Sequence, residues 1–140
     1  MPGAFGNLSL EFLLSHPPEV YIGTAIGDRN SVTRTPTRVV LGAGVDAVTA
    51  RASLVRATQR RGISHLSTFQ QGRVHAIWHH FYTSPFNVVA VQVFAKWLHP
   101  ELFADLDPQA TLRTMYQRFQ PIPLDGQYWI SLAPDSAASR

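Results

Sequence analysis

Apolar residues change their spacing along the chain, and the changes divide it into alternating α and β segments. In residues 9–15, SLEFLLS, apolar side chains at Leu10, Phe12, Leu13 and Leu14 predict a short helix. Asn7 or Ser9 is placed to cap it, Glu11 lies in its first turn where a carboxylate suits the helix dipole, and His16-Pro17-Pro18 ends it. Residues 19–23, EVYIG, then read as a short buried strand, and 24–36 as a polar loop. A second strand is expected at 38–41, RVVL, ending at the turn Gly42-Ala43-Gly44. Asp46 caps a helix to about residue 60, with Val48, Ala52, Leu54 and Val55 on or near one face and Gly62 as the stop. A short helical turn at 63–66 and a tight turn at 70–73 lead to a third strand at 74–78, VHAIW.

Ser84 is placed to cap, and Pro85 to begin, a helix over 86–98, whose Val88, Val91, Phe94 and Trp97 recur at helical spacing and read as core. Pro100 opens a short helix to 104, and Asp107-Pro108 a longer one to about 119. Residues 120–140 read as an irregular tail with an aromatic clasp, Tyr128-Trp129-Ile130, and frayed last residues from 136. The alternation predicts an α/β fold, a three-layer α/β/α lobe around a small, mainly parallel central sheet, with 1–140 as one domain.

Composition narrows the classes. The 140 residues are enough for one core. The formal charge is +3, nearly all cations are arginine, and Lys96 is the only lysine. With no basic run, that is weak support for a nucleic-acid module. Cysteine is absent, which removes disulfides, thiolate metal sites and cysteine nucleophiles. No apolar run reaches the ~20 residues of a membrane helix. Pro2, Gly3 and Gly6 interrupt the opening and no basic segment precedes an apolar one, so the start does not read as a signal peptide and the chain reads as soluble.

The chemistry concentrates after the third strand, where Trp78-His79-His80-Phe81-Tyr82 puts five rings in succession. In an open α/β sheet the C-terminal strand ends face the ligand crevice, so His79, His80 and Tyr82 are candidate contact residues, with Thr24, Ala25 and Ala43 at the other strand ends. Strand alternation would send His79 and Phe81 one way and His80 and Tyr82 the other. Arg29, Arg34 and Arg38 read as a solvated loop, with recognition of an anionic ligand as the functional alternative. No Gly-x-Ser-x-Gly elbow is present, and Asp105 and Asp107 read as a cap and its neighbour rather than an acid/base pair, so no catalytic set is expected. The rival reading is a small His-dependent metal enzyme using His75, His79, His80 and His99. Against it, His75 and His79 would stand ~13 Å apart on a continued strand. No metal site is therefore expected.

Three stretches in a fixed order resemble a known family: Pro18-Glu19-Val20-Tyr21-Ile22-Gly23 after a helix, Gly62-Ile63 leading to Gly72-Arg73-Val74, and Phe94-Ala95-Lys96-Trp97-Leu98-His99-Pro100-Glu101-Leu102-Phe103. They are similar to the C-terminal lobe of the periplasmic substrate-binding proteins of ABC importers for iron–siderophores, haem and cobalamin, over about residues 7–132. The resemblance implies one lobe of a two-lobed protein, a binding function without turnover, and no cofactor apart from an iron chelate as ligand. It implies recognition at the strand-tip residues, docking of Glu11 to the permease, and a periplasmic or lipid-anchored location outside the cytoplasmic membrane. The N-terminal lobe is missing from this chain, and the exposed cleft surface makes self-association a further expectation.

Overall fold

A computed structural model describes residues 6–31, 37–60 and 62–132. Its elements, in chain order, are α1 (Leu10–Ser15), β1 (Tyr21–Ala25), α2 (Ala47–Thr58), α3 (Ser67–Gln70), β2 (Val74–Trp78), a 3-10 turn (His79–Thr83), α4 (Asn87–Leu98), α5 (Pro108–Phe119) and β3 (Trp129–Ser131). Local chemistry explains the helix starts. Ser9 Oγ accepts from Phe12 N–H, Asp46 Oδ1 from Thr49 N–H, and Asp107 Oδ1 from Ala110 N–H, so each cap satisfies an otherwise orphaned donor. Pro108 at the start of α5 needs no partner there.

The sheet has the order β1-β2-β3. β1 runs parallel to β2, Tyr21 opposite Val74 and Ala25 opposite Trp78, and β3 runs antiparallel to β2, Ile77 opposite Trp129. β2 is central and buried on both faces, which is why VHAIW reads as a nearly unbroken apolar run. Its faces seed two cores. Val74 and Ala76 pack with Ala25, Val40, Leu41, Val45, Ala50 and Leu54 on the α2 side. Ile77 packs with Phe81, Val89, Val93, Leu112 and Tyr128 on the α4–α5 side. The α/β/α layering is therefore as expected.

Several local expectations are corrected. Residues 38–41 form no strand: Val40 and Leu41 are buried, but Val40 N–H donates to the Ser53 hydroxyl, and the first ladder-like contact is the bridge from Gly42 to Gln127. β1 extends two residues further than expected, so Thr24 and Ala25 belong to the strand. The buried face of α2 is Ala50, Ser53 and Leu54, with Val48 and Val55 exposed. In α4 the buried stripe is Val89, Ala90 and Val93; Val88 and Val91 face outward, while Phe94 and Trp97 do pack on the core. Ser84 is no side-chain cap; its hydroxyl donates to the Phe81 carbonyl. The segment expected as a short helix from Pro100 is a run of turns. The tail contains a strand, β3, where an aromatic clasp was expected, and residues from 133 onward lie outside the described residues.

Candidate ligand-binding site at the strand tips

Because β1 and β2 are parallel and in register from Tyr21–Val74 to Ala25–Trp78, their C-terminal ends lie side by side. The strap from 121 to 128 crosses that end. Trp78 N–H donates to Tyr128 carbonyl at 2.7 Å, and Gly42 N–H donates to Gln127 carbonyl at 2.8 Å. The turn at Gly42-Ala43-Gly44 is held from the other side by Arg29, whose N–H donates to Ala43 carbonyl at 3.1 Å. Gly42 has φ +138°, and a Cβ there would run into the Gly27 carbonyl and come within 3.2 Å of Trp78 Nε1. Four segments, around Gly27, Gly42, Trp78 and Gln127, thus converge on one surface.

The ring-rich tip is organised differently from a continued strand. After Trp78 the chain coils into a 3-10 turn, because β1 supplies no partner beyond Ala25 and the Trp78 N–H is already taken by the strap. Phe81 is driven into the core at 2% exposure, edge-on to Trp78 and stacked on Tyr128 with ring centroids 5.8 Å apart. With Phe81 as anchor, His79 and Tyr82 meet on the outside, ring centroids 4.7 Å apart and edge to face, rather than pointing to opposite sides. His80 is exposed and lies edge-on to Trp78. The Trp78 indole N–H is buried with no acceptor among the described residues.

The expected site residues therefore separate. His79, His80, Tyr82, Thr24 and Ala43 lie at the strand-tip end, the last four exposed and His79 half-buried. Ala25 shares that end in the backbone, but its side chain is 2% exposed and belongs to the α2-side core, so it lines no surface. Arg29 is committed to structure: Nε donates to Gly44 carbonyl at 3.4 Å and Nη2 pairs with Asp125 at 3.7 Å. Arg38 is exposed in the turn before Val39, and Arg34 lies outside the described residues. Glu11 is exposed in the first turn of α1, a helix with no buried residue, flanked by the exposed Leu10, Phe12 and Leu14.

His75 does not join the others. It is buried, its Nδ1 lies 2.7 Å from Ser131 Oγ, and burial, aided by the Arg73 charge, lowers its pKa to about 4. Among the described residues no three His, Cys, Asp or Glu side chains gather as a metal set. Sequence reasoning missed the strap. The signal was present in Pro121-Ile122-Pro123 and Gly126, turn-forming residues between a helix and an aromatic run.

No family model matches the chain, and no curated protein does. Among solved structures it is similar to a TroA-like periplasmic binding protein, FepB from Veillonella parvula, with a TM-score of 0.77 and 27% identity. The match covers 90% of this chain and 35% of that one, so the chain spans about a third of the length of the protein it resembles. The likeness implied by the sequence motifs is thus met in three dimensions: the chain has the fold of part of a TroA-like periplasmic binding protein.

Proposed function

We propose that this chain is the C-terminal, solute-binding lobe of an ABC importer's binding protein, which captures an iron complex outside the cytoplasmic membrane and delivers it to the permease. The observation that carries the reading is the fold likeness to a periplasmic binding protein, joined to the pairing of half-buried His79 with exposed Tyr82 at the strand-tip end. The geometry suits binding without turnover. Phe81 fixes the turn from beneath while His79, His80 and Tyr82 present rings and imidazoles above it. Such groups stack on flat aromatic donors and hydrogen-bond to their oxygens. A single wall buries only part of a ligand, so tight capture needs a second lobe closing over the first. Glu11, on the exposed face of α1, is the group that would pair with basic residues of the permease.

The test is titration of the purified protein with a ferric catecholate, a ferric hydroxamate and haemin, followed by quenching of tryptophan fluorescence. Saturable quenching by one of them, weakened at least tenfold in the double variant His79→Ala/Tyr82→Ala, is expected. Absence of saturable binding by all three refutes the iron-complex reading.

A further inference from the structure

Beside the strand tips lies a groove of about 620 Å³, formed between one face of α5 and the strap that follows it. That size falls within the range of small-molecule sites. The α5 side is Gln109, Arg113, Tyr116, Gln117 and Gln120, one helical stripe; the strap side includes Leu124. The stripe is chemically unusual for a helix on an apolar core. It offers three amides and one guanidinium, while Leu112 and Met115 turn toward the core and Tyr116 borders both core and groove.

Arg113 is the only charged side chain lining this groove, and among the described residues it has no ion-pair partner. Two of the carboxylates that flank α5 in the chain are engaged elsewhere. Asp107 caps α5 through Ala110 N–H, and Asp125 pairs with Arg29 on the far side of the strap. The strap is held in shape by Pro121, Pro123 and Gly126, the last at φ +97° and packed against the 42–44 turn so closely that a Cβ would overlap it. The Tyr116 hydroxyl, at the floor, is fixed by a 3.0 Å hydrogen bond with Tyr128. A preformed concave wall with one free guanidinium and several amide donors selects an acceptor-rich anion, since the Arg fork matches a carboxylate.

We infer that the α5–strap groove is a binding site for a small organic carboxylate, with Arg113 as its charge-recognising residue. The site shares no residue with the strand-tip set, so it stands whether or not that set binds an iron complex. The test is an NMR titration of the ¹⁵N-labelled 140-residue chain with metal-free citrate at low salt. Saturable shifts of the Arg113 Nε–H and of the Gln109, Gln117 and Gln120 side-chain amides are expected, with His79 and Tyr82 unmoved. Arg113→Gln should weaken binding tenfold or more, and Arg113→Lys should retain part of it. Shifts that rise linearly without saturating, that centre on other arginines, or that persist unchanged in Arg113→Gln overturn the assignment. Because Arg113 is exposed, an unchanged melting temperature in both variants separates lost binding from lost folding.

Discussion

His75 lies flat against Trp97, ring centroids 4.5 Å apart and planes 16° from parallel, with Ser131 Oγ at 2.7 Å from its Nδ1. The imidazole, near the start of the central strand, thus lies between α4 and β3, and burial lowers its pKa from 6.5 to about 4. The fold holds the neutral form, whereas the unfolded chain takes up a proton below pH 6.5. Stability should be flat above pH 6.5 and fall as pH drops toward 4, by roughly 2 kcal/mol after allowing for residual solvent screening. Urea melts at pH 7.0, 6.0 and 5.0 check this. His75→Gln should remove most of the slope above pH 5, where carboxylates contribute little; a slope equal to the parent's would assign it to another group.

Gly42→Ala should be severe. Its φ of +138° is unsuited to a side chain, and the added Cβ would overlap the Gly27 carbonyl and crowd Trp78 Nε1. A loss of about 3 kcal/mol, on the order of 10 °C in melting temperature, is expected. Gly6→Ala, where a Cβ meets nothing within 4 Å, is the matched control and should leave the melt unchanged. Equal melts for the two would mean that the 42–44 turn is not pinned to the strand tips.

Phe81 and Tyr82 are neighbours with opposite fates, and their variants should part accordingly. Phe81 is 2% exposed and Tyr82 66% exposed. Phe81→Ala should cost about 3–5 kcal/mol through the cavity it leaves. Tyr82→Ala should change stability by no more than ~0.5 kcal/mol, yet shift the His79 ring protons, which lie beside the Tyr82 ring. Calorimetry and a ¹H–¹³C spectrum of the histidines read both. A strongly destabilised Tyr82→Ala would place that ring in the core instead of on the surface.

What could be read from the sequence, and what could not, divides along the range of the interactions. β2 and α5 were legible because their signals are local: an apolar run bounded by Gly72, and an Asp107-Pro108 start. β3 has three residues and exists only through pairing with β2, more than fifty positions away, so nothing nearby marks it as a strand. Residues 38–41 were misread for a related reason. Their apolar character signals burial, but the Val40 backbone is met by the Ser53 hydroxyl rather than by another strand. In α4, apolar residues surround the helix, so periodicity could not tell the 89/90/93 stripe from the 88/91 one. At the candidate site, the residues that the strand-end rule names do gather at one end of the sheet. Alternation failed there because Phe81 has a core to enter and the chain turns 3-10 to let it in.

Lys96, the only lysine, closes the end of α4. Its Nζ donates to the carbonyls of Ala104 at 2.9 Å and Leu106 at 2.6 Å, reaching across the turns that follow the helix. Those turns carry few other long-range ties; Leu102, Phe103 and Leu106 N–H groups donate only to His99 and Phe103 carbonyls within the segment. Charge-assisted hydrogen bonds of this kind contribute about 1.5–3 kcal/mol each when buried, and less here because the ammonium is partly solvated. Lys96→Met keeps the alkyl stem and removes both donors. Amide exchange at Leu102, Phe103 and Leu106 should accelerate at least tenfold, while Leu132 N–H, which donates to Val74 carbonyl in the sheet, should hold its protection. Lys96→Arg should rescue little, since a planar fork cannot aim two donors at the convergent carbonyls as a rotating ammonium does. Unchanged exchange in Lys96→Met would show that the turns hold themselves and that the lysine only decorates them.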